Sequence, residues 1–181
     1  MNNKSMRFFF LIIFSVFMSR HSFSQIMLNR SGAPMLSPFF KTGEKIKPFV
    51  VTDIDGKTYN SQELEGKVIV LNFWFIACAP CVKEIPELNQ IVDKYKKRSD
   101  IIFLALAPDK KVEIVDFISK TPFNYQLIPD TKELVQSVYK VGMFPTHLVL
   151  NKAGEVAFHT SGYNPSTVNS IESTIKDLLK L

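Results

Sequence analysis

Val68 to Phe73 reads Val-Ile-Val-Leu-Asn-Phe, an almost unbroken apolar run between Gly66 and the aromatic pair Phe73-Trp74. A half-buried strand alternates apolar and polar residues, but this one has almost no polar side to show to water. It therefore predicts a central strand covered on both faces. That requirement excludes a two-layer fold with a wet sheet face, and the 181 residues are enough for one such domain with a sizeable core.

The flanking segments supply the missing layers. Phe49-Val50-Val51, the turn Asp55-Gly56 and the return Lys57-Thr58-Tyr59 predict an N-terminal β-hairpin, followed by one helical turn over Ser61 to Leu64. Ile85, Leu88, Ile91, Val92 and Tyr95 recur at helical spacing, predicting a helix from about Pro80 to Lys97. Its terminal Lys94, Lys96, Lys97 and Arg98 suit the negative end of the helix dipole and read as a solvated face. Ile101 to Leu106 is a second buried strand, and Asp109 is the expected N-cap of a helix with Val112, Val115, Phe117 and Ile118 inward. Tyr125 to Ile128 predicts a short strand, and Lys132 to Tyr139 a short helix. Thr146–Leu150 and Val156–His159 form a hairpin around Lys152-Ala153-Gly154, and a closing helix over Ser166–Leu181 turns Val168, Ile171, Ile175, Leu178 and Leu179 inward. Strands alternating with helices, followed by a hairpin, give an α/β three-layer sandwich with a mixed central sheet flanked by helices.

The first residues carry an address. Lys4 and Arg7 precede a run from Phe8 to Met18 that is apolar except for Ser15, then Ser22 and Ser24 bracket a cut before Gln25. The run is about half the roughly 20 residues that a bilayer span needs. Residues 1–24 thus read as a cleaved signal peptide, with a retained anchor as the alternative, and imply an exported, periplasmic or extracytoplasmic protein in which disulfides persist. Residues 25–45 form an extended lead-in, and 46–181 the folded domain. Of the formal charge of +5, three positive charges lie in the signal, so residues 25–181 keep only +2. That balance points to neither nucleic acid nor a membrane surface. With 46% hydrophobic residues, 7 Gly and 2 Cys, disorder, collagen and a disulfide scaffold are excluded.

The chemistry is concentrated at Cys78-Ala79-Pro80-Cys81, the junction between the central strand and the first long helix. Unpaired N–H groups and the dipole at a helix N-terminus stabilise a thiolate, and Pro80 fits the first turn because its missing N–H has no helical partner there. Residues three apart share a helical face, bringing both sulfurs within disulfide reach, with Cys78 exposed and Cys81 more buried. One thiolate attacks and the other resolves the mixed disulfide. A structural disulfide closing so short a loop removes little entropy from the unfolded chain. A zinc site lacks ligands, since the mature chain offers only these two Cys with His147 and His159, which have no paired spacing.

Asn72-Phe73-Trp74, Cys78-Ala79-Pro80-Cys81, Glu84-Ile85-Pro86, Gly142-Met143-Phe144-Pro145-Thr146 and Asn151-Lys152-Ala153-Gly154-Glu155 together resemble the TlpA/ResA-like branch of the thioredoxin superfamily over about residues 43–181. The resemblance implies a thioredoxin-like fold with the N-terminal hairpin as an extension. Phe144-Pro145 matches the family's cis-proline beside the cysteines, and Pro86 its helix kink. Thioredoxins proper carry a buried Asp in the central strand, where this chain has Asn72. In the resembled branch a Glu on the first helix takes that part, and Glu84 stands at the matching place to assist deprotonation of Cys81. The family usually has Trp before the first Cys; Ala77 stands there, leaving a flatter, more aliphatic approach to Cys78.

These readings make Cys78, Cys81 and Glu84 the expected catalytic residues and Trp74, Ala79, Pro80, Phe144 and Pro145 the expected substrate contacts. No metal or cofactor beyond the Cys78–Cys81 couple is expected. The resemblance implies substrate proteins with disulfides, an upstream electron-donor redox protein and a monomer. Ala79-Pro80, without His or Arg between the cysteines, favours a reductant over a strong oxidant. Two rival readings are a peroxiredoxin-like peroxidase and a non-enzymatic copper module in which His147, two residues after Pro145, joins the two cysteines.

Overall fold

The structure, a computed structural model, describes residues 39–180; the signal peptide and most of the 25–45 lead-in lie outside the described residues. Strands β1 (Val50–Thr52) and β2 (Thr58–Asn60) pair antiparallel as the expected hairpin. The main sheet contains β3 (Val68–Phe73), β4 (Ile101–Leu106), β5 (Gln126–Ile128), β6 (Thr146–Leu150) and β7 (Val156–Ser161), in the order β5-β4-β3-β6-β7. β3 is central, parallel to β4 and antiparallel to β6. Helices α1 (Ala79–Tyr95), α2 (Lys111–Lys120) and α3 (Thr167–Leu179) complete it, with a short π-helical segment at Glu133–Val138.

All six residues of β3 are buried, as the apolar run demands. Pleating sends Val68, Val70 and Trp74 to the α1 side, where they pack with Ile85, Leu88, Ile91 and α3's Ile171 and Ile175. Ile69, Leu71 and Phe73 point the other way, onto Phe49, Tyr59, Val135 and Tyr139. The second face is thus covered by the hairpin and the π-helical segment, where the sequence pattern predicts an ordinary helix. The wider winding shows at its end, where Tyr139 N–H donates to Leu134 O, five residues back. The segment is flanked by Asp130 and Lys140, both left-handed at φ 57° and 58°.

The last residues of the lead-in are tied to the far edge of the sheet. Gly43 N–H donates to Val156 O and Val156 N–H to Glu44 O, and Lys45 bridges Glu155 antiparallel. This pairing covers the start of β7, which would otherwise present unpaired backbone.

Helix α2 corrects the sequence reading twice. Its N-cap is Lys110 rather than Asp109, and Glu113 reaches back to accept the Lys110 N–H at 2.8 Å. Its inward stripe runs Ile114, Phe117, Ile118, while Val112 and Val115 are 72% and 45% exposed. Either set of apolar residues has helical spacing, so periodicity alone does not decide which faces the core.

Candidate active site

β3 delivers the chain to a short turn, and Cys78 stops that turn by capping α1. With φ −83° and ψ 91°, it stands outside the helix while its Sγ accepts the Cys81 N–H at 3.3 Å. Cys78 and Cys81 are joined as a disulfide, their Cα atoms 5.3 Å apart. The expected contrast in exposure is not found: Cys78 is 5% and Cys81 2% exposed. Capping folds the first sulfur over the helix end, so open surface belongs to Ala77, Ala79 and Pro80 around it.

Two contacts hold the turn. Asp109, displaced from its expected cap, accepts the Ile76 N–H through Oδ2 at 3.1 Å. Phe75 meets Phe144 edge-on with ring centroids 5.2 Å apart. Phe144 precedes Pro145 through a cis peptide bond, so this ring pair joins the cysteine turn to the cis-proline loop. Sequence reasoning missed Asp109; its place directly after the buried strand β4, level with the cysteine turn at the end of β3, was the available signal.

Trp74 takes a different place from the one expected. It is 1% exposed, set against Phe117 at 5.5 Å and Phe123 at 5.3 Å. It belongs to the same core cluster as Cys78 and Cys81 and has no face for a substrate. Beside Ala77 an open hollow of about 600 Å³ lies between the turn and α2, lined by Ile76, Ala77, Val112 and Phe117 with Asp109, Glu113 and Asp116 among its walls.

The α1 side of the sheet also holds a buried polar group. Glu84 falls in the apolar stripe of α1, one turn past Cys81, and is 2% exposed. The β3–β6 register sets Asn72 opposite His147, and both side chains meet Glu84. Asn72 Nδ2 donates to Glu84 Oε1 at 3.3 Å and lies 3.2 Å from His147 Nδ1. His147 Nε2 is 2.9 Å from Glu84 Oε1, but off the axis of an aligned hydrogen bond, so Nε2 and Asn72 Oδ1 both remain unpartnered. Tyr125 joins the same environment: burial first, then the charge of Glu84, pushes its hydroxyl well above the ordinary tyrosine range. His147 is 0% exposed, deeper than a half-buried strand histidine, and its ring faces Glu84 and Asn72. Among the described residues no group of three or more His, Cys, Asp and Glu is placed to hold a metal ion.

A disulfide at a buried-strand-to-helix junction, tied to a cis-proline loop on a mixed five-stranded sheet, defines a thioredoxin-fold thiol-disulfide oxidoreductase. Residues 42–159 match the AhpC/TSA family. The chain is 30% identical over 162 residues to the thiol-disulfide oxidoreductase ResA of Bacillus thuringiensis, covering 84% of this chain and 92% of that one. To ResA of Halalkalibacterium halodurans it is 28% identical over 172 residues, 94% of each. A crystal structure described as the thiol:disulfide interchange protein DsbE of Chlorobium tepidum superposes with a TM-score of 0.69 at 26% identity, covering 77% of this chain and 99% of that one. The chain belongs to the AhpC/TSA family and is a ResA-like member of the thioredoxin superfamily.

Proposed function

We propose that this protein works outside the cytoplasm as a reductant of protein disulfides. The observation that carries the reading is the Cys78–Cys81 disulfide at the N-terminus of α1, beside the exposed Ala79-Pro80 and the Phe144-Pro145 loop. In the reduced protein the Cys78 thiolate attacks one sulfur of a substrate disulfide; a Cys78–substrate bond forms and the other substrate sulfur leaves. Cys81 then gives its proton to Glu84 and attacks Cys78, forming the Cys78–Cys81 bond and expelling the second substrate thiolate, which takes up a proton. Two electrons pass to the substrate, and an upstream redox protein restores the dithiol. No resident metal or cofactor is needed for this cycle.

The signal-like N-terminus supports an extracytoplasmic site of action, and no helix among the described residues is long and apolar enough to cross a membrane. Resemblance to the TlpA/ResA-like branch makes oxidised envelope proteins and the cysteines of apocytochrome c the substrate class. Pro145, Phe144, Ala79 and Pro80 line the approach, and the hollow beside Ala77 extends it toward α2.

A peroxiredoxin-like peroxidase needs Thr or Ser three residues before its reactive Cys; Phe75 fills that place with its ring against Phe144. Copper handling needs His147 at the sulfurs, whereas its ring faces Glu84 and Asn72. The test of the proposed cycle is Cys81→Ser, which removes the resolving thiol. It is expected to accumulate mixed disulfides on Cys78 that mass spectrometry identifies, and an empty trap would refute the cycle.

A further inference from the structure

The exchange reaction uses Cys78, Cys81 and Glu84 and leaves unexplained why a histidine and an asparagine are buried against that carboxylate. A buried polar atom without an aligned partner calls for a reason, and this group contains two, Asn72 Oδ1 and His147 Nε2. Their positions are not accidental to the packing. Asn72 and His147 are register partners on β3 and β6, and Glu84 comes down on them from α1, on the same face of that helix as Cys81.

Glu84 must do two things at Cys81: keep a carboxylate oxygen directed to the thiol and hold the proton once taken. A carboxylate on a helix has free rotation about its own side-chain torsions unless something fixes it. Asn72 Nδ2, donating to Glu84 Oε1 and facing His147 Nδ1, places the ring proton on Nε2, the nitrogen 2.9 Å from the same Oε1. One donor, Asn72 Nδ2, and the off-axis Nε2 of His147 thus stand on different strands against the same oxygen of Glu84.

We propose that His147 is a positioning residue for the resolving step: with Asn72 it clamps one oxygen of Glu84 so that the other receives the Cys81 proton. The proposal rests on the Glu84 role assigned above. It adds no bond change; it sets the geometry in which Cys81–S–H gives its proton to Glu84 and the resulting thiolate displaces the substrate sulfur from Cys78.

The test separates the two half-reactions by rapid-mixing kinetics with a disulfide peptide. Attack by Cys78 is read in the Cys81→Ser background, and resolution in the intact dithiol. His147→Leu is expected to slow resolution about tenfold to a hundredfold while leaving attack unchanged, the scale that misplacing a reacting group by about 1 Å produces. His147→Gln, whose amide can still donate toward Glu84, is expected to restore most of that loss. Glu84→Gln combined with His147→Leu should be no slower than Glu84→Gln alone, because the clamp has nothing left to hold. Should Glu84→Gln resolve at the wild-type rate, the role of Glu84 is wrong; should Glu84→Gln be slow and His147→Leu normal, or should both half-reactions slow together, the clamp is wrong. Nitrogen-15 NMR of the unmutated, reduced protein gives a further check that needs no variant. The proton is expected on Nε2 of His147, and a ring protonated only on Nδ1 overturns the proposal.

Discussion

Reducing the Cys78–Cys81 disulfide is the perturbation that tests the direction of electron flow. The bond closes a loop of four residues, given a sequence separation of 3. Loop-closure entropy, small beside that of a long loop, still favours the oxidised protein by about 1.9 kcal/mol through restraint of its unfolded chain. Against this, the N-terminus of α1 stabilises the Cys78 thiolate of the reduced protein by about 0.3 to 1 kcal/mol. Sinking that sulfur to 5% exposure weakens the charged form by desolvation. The balance leaves the oxidised form more stable by about 1 kcal/mol, placing the couple about 20 mV more reducing than the same dithiol in an unfolded chain. Guanidinium unfolding of the oxidised protein and of the protein held reduced measures the difference directly. A Cys78→Ser, Cys81→Ser double variant supplies a reference without a thiolate. If the reduced form is the more stable by about 1.4 kcal/mol or more, a tenfold equilibrium shift, thiolate stabilisation outweighs the ring restraint. The protein is then an oxidant, and the reasoning from the short, uncharged Ala79-Pro80 spacer fails.

Other outcomes follow from the packing and the ion pairs. Leu88 is 0% exposed under α1, and Leu88→Ala is expected to lower unfolding free energy by about 2 to 5 kcal/mol through the cavity it leaves; a loss below about 1 kcal/mol would mean that α1 collapses onto the sheet. Glu172 receives Lys94 at 2.7 Å and Lys176 at 2.9 Å, and these hydrogen bonds, Lys94 first, hold its carboxyl below the ordinary range. A depressed folded value means that the stabilisation is present above the unfolded carboxyl's value and is lost as pH falls through the folded one. Glu172→Gln should therefore cost about 0.5 to 1 kcal/mol at neutral pH. Urea unfolding at about pH 3, well below the ordinary carboxylate range, should find little difference from wild type; an equal gap at both pH values would remove the ion pairs as its cause.

The elements around the cysteines were readable because each carries its own period. Val68–Phe73 is buried throughout, and Ile85, Leu88, Ile91 and Tyr95 all point into the core. The junction between them is where the chemistry lies. Glu84 was placed by resemblance, and its burial has a signal in the helix itself, since it shares the stripe with Cys81 and Leu88. Helix α2 shows the limit of such patterns: Val112 and Val115 have helical spacing as good as that of Ile114 and Phe117, and only the sheet beneath decides between them. Asp109 looked like a helix cap, yet its carboxylate is held by a backbone N–H from the preceding crossover. Trp74, read as part of the substrate approach, is enclosed by Phe117 and Phe123, which lie far along the chain.

Sequence alone set the buried central strand, the helix that follows and the two sulfurs at their junction, because spacing along one element dictates which side chains share a face. What joined Glu84 to Asn72 and His147 and tied the cysteine turn to Phe144 was the assembly of the sheet. Those contacts depend on the register of β3 against β6 and on the seating of α1 across both, and such distances between elements exist only once the chain has folded.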